Sequence, residues 1–201
     1  MRMLSVFFIC IFTAGCFAPK DPLLLDDFEG ELSANTVDFG AGNNSAVSVS
    51  ASDKIFKTGV QSMKVDYKQV ASGYMWAGRG FEMDVPGAGV WLVKPDKVKW
   101  NKYKGISFYF YGEGKGASIA FDIKDSNKEI WRAMISDDKK GWKKVELLFS
   151  HFFSRSDWQP GDAAVDQVMD YPVKSFQFEV RSNGKGTFYV DQVEVYGAGD
   201  A

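Results

Sequence analysis

The sequence is poor in the residues that most often carry chemistry. It has one histidine, His151, and two cysteines among 201 residues. With so few soft ligands, a His/Cys zinc site is excluded. A disulfide framework is excluded as well. Both cysteines, Cys10 and Cys16, lie near the N-terminus, and a bridge between them would close a tiny loop and brace nothing beyond it. No glycine-rich phosphate loop and no nucleophile elbow occurs. An excess of one charge is also lacking: 24 basic residues face 26 acidic ones, a net charge of -2. Without a basic stripe, nucleic acid is not an expected partner, and interspersed charges of this kind belong to a solvated surface. Long helical periodicity is absent. What the chain has in quantity is aromatic side chains, 15% of its residues.

The two cysteines acquire a meaning from their flanks. Arg2 supplies a positive start, and Leu4 to Phe12 form an apolar run far short of the ~20 residues that span a bilayer. Thr13, Ala14 and Gly15 are small, as a cleavage site requires, and Cys16 follows at once. This resembles the lipobox of bacterial lipoproteins, with Thr13 where leucine is usual. The resemblance implies a signal peptide over residues 1–15 and a mature N-terminus at a lipid-bearing Cys16. The other reading is an ordinary signal peptide with an incidental cysteine. Pro19 and Pro22 make residues 16–23 a short stiff tether, residues 24–197 one domain, and 198–201 a tail.

Period-two alternation fills that domain. Met63, Val65 and Tyr67 alternate with Ser62, Lys64 and Asp66; Ile106, Phe108 and Phe110 do so with Ser107, Tyr109 and Tyr111; Ile119, Phe121 and Ile123 do so with Ser118, Ala120 and Asp122. "WKKVELLF", "SFQFEVR" and "TFYVDQVEVYG" continue the pattern, with glycine, asparagine and aspartate between runs. About ten strands at this spacing predict an all-β sandwich. "FSHFF" predicts a single helical turn, with His151 packed among phenylalanines.

Two chemistries compete for a site. "FEMDV" resembles the opening of the E-x-D-x-x-E strand of jelly-roll glucanases, but the second glutamate is missing, because Pro86, Gly87 and Ala88 follow. Glycoside hydrolysis needs two carboxylates flanking the sugar, so no enzyme is expected. The alternative is aromatic. "SGYMWAGRG" offers Tyr74, Trp76 and Arg79; "SRSDWQPGD", a loop by composition, offers Arg155, Asp157, Trp158 and Gln159. Flat rings beside planar polar groups suit sugar rings and their hydroxyls. Trp100, Trp131 and Trp142 read as structural.

The order of "LLDDFEG", "SGYMW", "W-x-x-Y-x-GISFYF", "KEIW", "GWKKVELLFSHFFSRSDWQPG" and "GKGTFYVDQVEVYG" resembles the family-eleven carbohydrate-binding modules, over residues 24 to 197. The resemblance implies a non-catalytic, galactose-binding-like jelly roll, a two-sheet β-sandwich whose concave face holds β-glucan. It implies Tyr74 and Trp158 as stacking residues, with Arg155, Asp157, Ser175, Gln177 and more loosely Asn127 as polar contacts. Departures are Lys174 for an acidic residue, Gln177 for a histidine, Val180 for an aromatic, and an N-terminal loop whose one aromatic is Phe39. The resemblance also implies structural calcium, held by Glu29, Asp191 and backbone oxygens near Lys57 and Thr58. The expected protein binds polysaccharide at a bacterial cell envelope, lipid-anchored, in the outer membrane where one exists. A structural or assembly lipoprotein with a protein partner is the alternative.

Overall fold

A computed structural model describes residues 21–197. The expected signal peptide, Cys16, most of the expected tether and the expected tail lie outside the described residues. Among the described residues, twelve strands form two antiparallel sheets. In chain order they are β1 (Leu23–Asp26), β2 (Asp38–Gly42), β3 (Ala46–Ser52), β4 (Ser62–Gln69), β5 (Tyr74–Gly80), β6 (Gly105–Glu113), β7 (Ser118–Lys124), β8 (Ile130–Ser136), β9 (Lys140–Leu148), β10 (Phe153–Ser154), β11 (Ser175–Val180) and β12 (Gly184–Tyr196). The first sheet runs β3-β4-β12-β6-β9, with β1 also paired to β12. The second runs β10-β8-β7-β11-β5-β2.

The alternation seen in the sequence decides what lies between the sheets. Met63, Val65, Ile106, Phe108, Phe110 and Phe121 are fully buried, and Ile119 and Ile123 nearly so. Phe176, Phe178 and Phe188 join them. Phe108 meets Phe121 at 4.7 Å between centroids, and Phe110 stacks on Phe188 at 5.5 Å. Each buried phenylalanine contributes roughly 1.5–3 kcal/mol by leaving water, and each well-placed ring pair roughly 0.5–1.5 kcal/mol more. The core thus absorbs much of the aromatic excess. Trp100 and Trp131 are buried. Trp142 is half-buried and packs edge-to-face on Tyr111 across β9 and β6.

Two expectations are corrected. The turn at "FSHFF" exists as a short 3-10 segment, Phe149–His151, but His151 is exposed at its end rather than packed among phenylalanines. Its neighbours Phe149 and Phe152 take the buried positions. The N-terminal stretch "SANTVDFGAG" is not all loop: Asp38–Gly42 is the edge strand β2, paired along its length with β5.

Candidate functional site

Directly opposed residues in a ladder point to the same face. One such row crosses the whole second sheet: Phe153, Arg132, Asp122, Gln177, Gly78 and Asp38. Since Phe121, Phe176 and Phe178 point inward, this row faces out, away from the first sheet. Ser175, Gln177 and Glu179 therefore lie outward on β11, Asp122 and Lys124 on β7, and Tyr74 and Trp76 on β5.

At one edge the face is aromatic. Tyr74 is opposed by Gly42 and Trp76 by Gly40. The rings lie over those glycines so closely that a Cβ on Gly40 would sit 2.5 Å from the Trp76 ring and one on Gly42 2.4 Å from the Tyr74 ring. The two rings stack at 6.1 Å and 16°. Trp76 Nε1 donates to Asp38 Oδ1 at 2.9 Å, which fixes the indole, and Tyr74 stays 47% exposed.

The centre is charged. Arg132 donates twice to Asp122, Nε to Oδ1 at 2.7 Å and Nη2 to Oδ2 at 2.8 Å, and Nη2 also reaches Glu179 at 2.5 Å. Arg155 adds contacts to Asp122 (3.3 Å), Glu179 (3.1 Å) and Asp157 (2.8 Å). Arg181 reaches Asp157 at 3.1 Å and also pairs with Glu179. Burial works against the Asp157 carboxylate, but Arg155, Arg132 and Arg181 outweigh it and hold its pKa at about 2. Burial works against Arg132 too, yet Asp122 and then Glu179 and Asp157 hold its pKa above the ordinary arginine value. Three arginines and three acids thus neutralise one another, and Gln177 Nε2 leans on Asp122 at 3.3 Å.

Two loops rise over this floor. In 155–159, Trp158 stands 54% exposed, with one ring face under the Arg155 guanidinium at 5.4 Å. Gln159 anchors the loop by bracketing Ile130: its Oε1 accepts from the Ile130 amide at 2.8 Å and its Nε2 donates to the Ile130 carbonyl at 3.1 Å. In 81–84, the Met83 methyl sits over Gly78, where a Cβ would meet it at 2.7 Å. That loop is held by Lys174 on Glu82 (2.9 Å) and by the Asp84 amide on Asp38 (2.9 Å). Residues Phe81–Val85, the glucanase-like stretch, are bends rather than a strand. A shallow hollow lined by Asp122, Lys124, Ile130, Ser175 and Gln177 lies on the face.

The structure therefore brings Tyr74, Trp76, Arg155, Asp157, Trp158, Ser175 and Gln177 to one face. Asn127 stands beyond its end, at the tip of the β7–β8 hairpin, where its amide donates to Asp170 at 2.7 Å. Arg79 is a correction. It points between the sheets, 2% exposed, with Nε 2.7 Å from Asp26 and its guanidinium over Phe28 at 5.3 Å. Val180 and Phe39 also point inward, Val180 at 1% exposure and Phe39 against the core, so neither is a cleft position. Asp122, Arg132, Glu179 and Met83 were not singled out from the sequence. The first three occupy polar phases of alternating strands, a signal that was available.

A second acidic cluster lies at Glu29 and Asp191. Asp191 Oδ2 accepts from the Lys57 and Thr58 amides at 2.7 and 3.0 Å, so these residues meet it through N–H groups. Its Oδ1 is buried and has no hydrogen-bond partner. Burial, and to a lesser extent the charge of Glu29, push the Asp191 carboxyl above its ordinary pKa. Glu29 Oε1 accepts from the Val60 amide at 3.0 Å. Among the described residues no group of three or more His, Cys, Asp or Glu forms a metal cluster. An orphaned buried carboxylate oxygen beside a second carboxylate nonetheless fits a hard cation, which takes oxygen donors and draws many from backbone.

Comparison with known proteins bears on the family and the fold. The chain is 30% identical to endoglucanase H of Acetivibrio thermocellus over 183 residues, 87% of this chain but only 18% of that enzyme. It superposes on a family 11 carbohydrate-binding module from Clostridium thermocellum, solved in complex with a β-1,3-1,4-mixed-linked tetrasaccharide. The TM-score is 0.69 at 27% identity, covering 90% of this chain and 98% of that one. The family 11 module of a cellulosomal cellulase of Clostridium thermocellum shares the fold, with a TM-score of 0.67 at 24% identity, over 90% and 97% of the two chains. The family described as carbohydrate binding domain (family 11) matches residues 17–198, and the chain belongs to that family.

Proposed function

We propose that the outer face of the second sheet binds a β-glucan chain, without catalysis, and that lipid on Cys16 holds the protein to a bacterial envelope. One observation carries the binding reading: two separate aromatic platforms, Tyr74 with Trp76 and the exposed Trp158, share one face across a hydrogen-bonding floor. Rings that pack a core are covered; Tyr74 and Trp158 are not. The mixed-linkage tetrasaccharide bound by the Clostridium thermocellum module supports a β-glucan as the ligand. Affinity electrophoresis in barley β-glucan and in hydroxyethylcellulose tests it. The folded protein is expected to be retarded in at least one gel. Free migration in both, with no hit on a wide glycan array, passes the function to the assembly-lipoprotein reading.

The anchor has its own test. Metabolic labelling with an alkyne fatty acid is expected to mark the wild type and not Cys16→Ser, which should leave the membrane fraction. An unlabelled wild type removes the lipid.

A structural calcium held by Glu29 and Asp191 belongs to the same proposal, supported by the orphaned Asp191 oxygen. The ion would supply the charge that two adjoining carboxylates lack. A ligand that binds only the native state stabilises it by about 2.7 kcal/mol at a hundredfold excess over Kd. Chelation is therefore expected to lower Tm, and to leave a Glu29→Gln, Asp191→Asn variant unmoved. Identical wild-type melting with and without chelator rejects the ion.

A further inference from the structure

We infer that the ligand path continues past the charged floor to the β10 edge, where Phe153 and Met134 form a further sugar-contacting subsite. This rests on the carbohydrate reading above and extends it. Phe153 is the last member of the row that crosses the sheet, opposed to Arg132. Its neighbour Phe152 is buried in the core, so alternation turns Phe153 outward, and it is 49% exposed. Met134 lies two residues along β8 from Arg132, opposed to Ala120, and is 44% exposed. Both therefore stand on the face that carries Asp122 and Gln177, diagonal to one another across β8 and β10.

The layout matches one kind of occupant. A glucan is a ribbon with apolar C–H faces and hydroxyl edges. The face presents an apolar edge at Tyr74 and Trp76, a hydrogen-bonding centre, and a second apolar edge at Phe153 and Met134. A chain crossing the six strands meets these in turn, over roughly 24 Å at about 4.8 Å between strands. A docked protein strand is disfavoured, because β10 is only two residues long and offers little edge to extend. An acidic or basic partner is disfavoured too, since Arg132, directly opposite Phe153, is already satisfied by Asp122 and Glu179.

Calorimetric titration with mixed-linkage oligosaccharides of increasing length, from the trisaccharide upward, tests the subsite in the full-length mature protein. Wild-type affinity is expected to climb with length until the chain reaches β10. Phe153→Ala should lose about tenfold on the longest ligands, a change of about 1.4 kcal/mol, and nothing on the shortest; Met134→Ala should lose less. Melting temperatures should not move, because both side chains are exposed. Coincident affinities for wild type and Phe153→Ala at every length overturn the subsite alone. So does an equal loss at all lengths, or a change of oligomeric state with glycan affinity intact. A wild type that binds none of the ladder overturns the carbohydrate reading and the subsite together.

Discussion

Trp158→Ala is expected to lose β-glucan binding by roughly thirtyfold or more, about 2 kcal/mol, while melting as the wild type does. The separation of the two effects follows from where the indole sits. It is 54% exposed, so truncation removes little buried apolar surface. The group on its covered face stays in place, because Arg155 is also held by Asp122, Glu179 and Asp157. What disappears is the open ring face on which a sugar would lie. Tyr74→Ala should act in the same direction at the β5 and β2 edge, with a further effect on Trp76, whose ring it stacks against at 6.1 Å. Affinity electrophoresis beside a melting curve makes the comparison. Undiminished retardation of Trp158→Ala, with the wild type retarded, places the ligand elsewhere.

Much of the face that carries this candidate site was legible in the sequence, and the residues that were not show why. The six strands with strong apolar alternation were readable because sandwich strands bury one phase and wet the other. Asp38–Gly42 was not, because two of its five residues are glycines. Those glycines make room for the rings of Trp76 and Tyr74, so the site itself erases the strand signal. Ala46–Ser52 carries its alternation in valine, alanine and serine, a faint contrast. Arg79 was misplaced through its neighbours: it stands three residues from Trp76, and the same alternation that exposes Tyr74 and Trp76 turns it inward. Val180, three from Gln177, fails for the same reason. Met83 and Phe153 had no local signal. Met83 reaches the face because loop 81–84 folds back over Gly78, and Phe153 because a two-residue strand happens to pair with Arg132. Such placements depend on which strands meet, and no short stretch of sequence encodes that.

The misplaced arginine leads to a loss of stability whose size depends on pH. Asp26 and Arg79 form an ion pair between the sheets, each almost without solvent contact. The contact is close at 2.7 Å, but it is ionic rather than an aligned hydrogen bond: Asp26 Oδ2 and Arg79 Nε make no aligned hydrogen bond, nor does Arg79 Nη1. Burial therefore dominates both partners. It raises the Asp26 pKa to about 6 despite the attraction of Arg79, and it lowers that of Arg79 despite Asp26. Removing one partner leaves the other's charge uncompensated, which typically costs about 3–5 kcal/mol. Arg79→Leu is expected to fall short of that, because an Asp26 whose pKa is already about 6 can take up a proton at pH 7 for about 1.4 kcal/mol. The charge part of the loss is therefore about 1.4 kcal/mol at neutral pH, at roughly 2–4 °C of Tm for each kcal/mol in a domain of this size. The sign with pH is fixed by linkage. A carboxyl whose folded pKa lies above its unfolded value of 3.8 binds its proton more tightly in the native state, so its penalty fades as pH falls from above 6 toward 4. Without Arg79 the Asp26 pKa rises further, and the loss should be greatest at pH 7 and much smaller at pH 5. Adding Asp26→Asn to Arg79→Leu removes the stranded charge and should restore the charge part of the neutral-pH loss, leaving the loss of packing against Phe28. Urea denaturation of the two variants at both pH values decides the point. A deficit for Arg79→Leu that is equal at pH 7 and pH 5, and that Asp26→Asn fails to relieve, would mean that the pair stabilises through packing and not through charge.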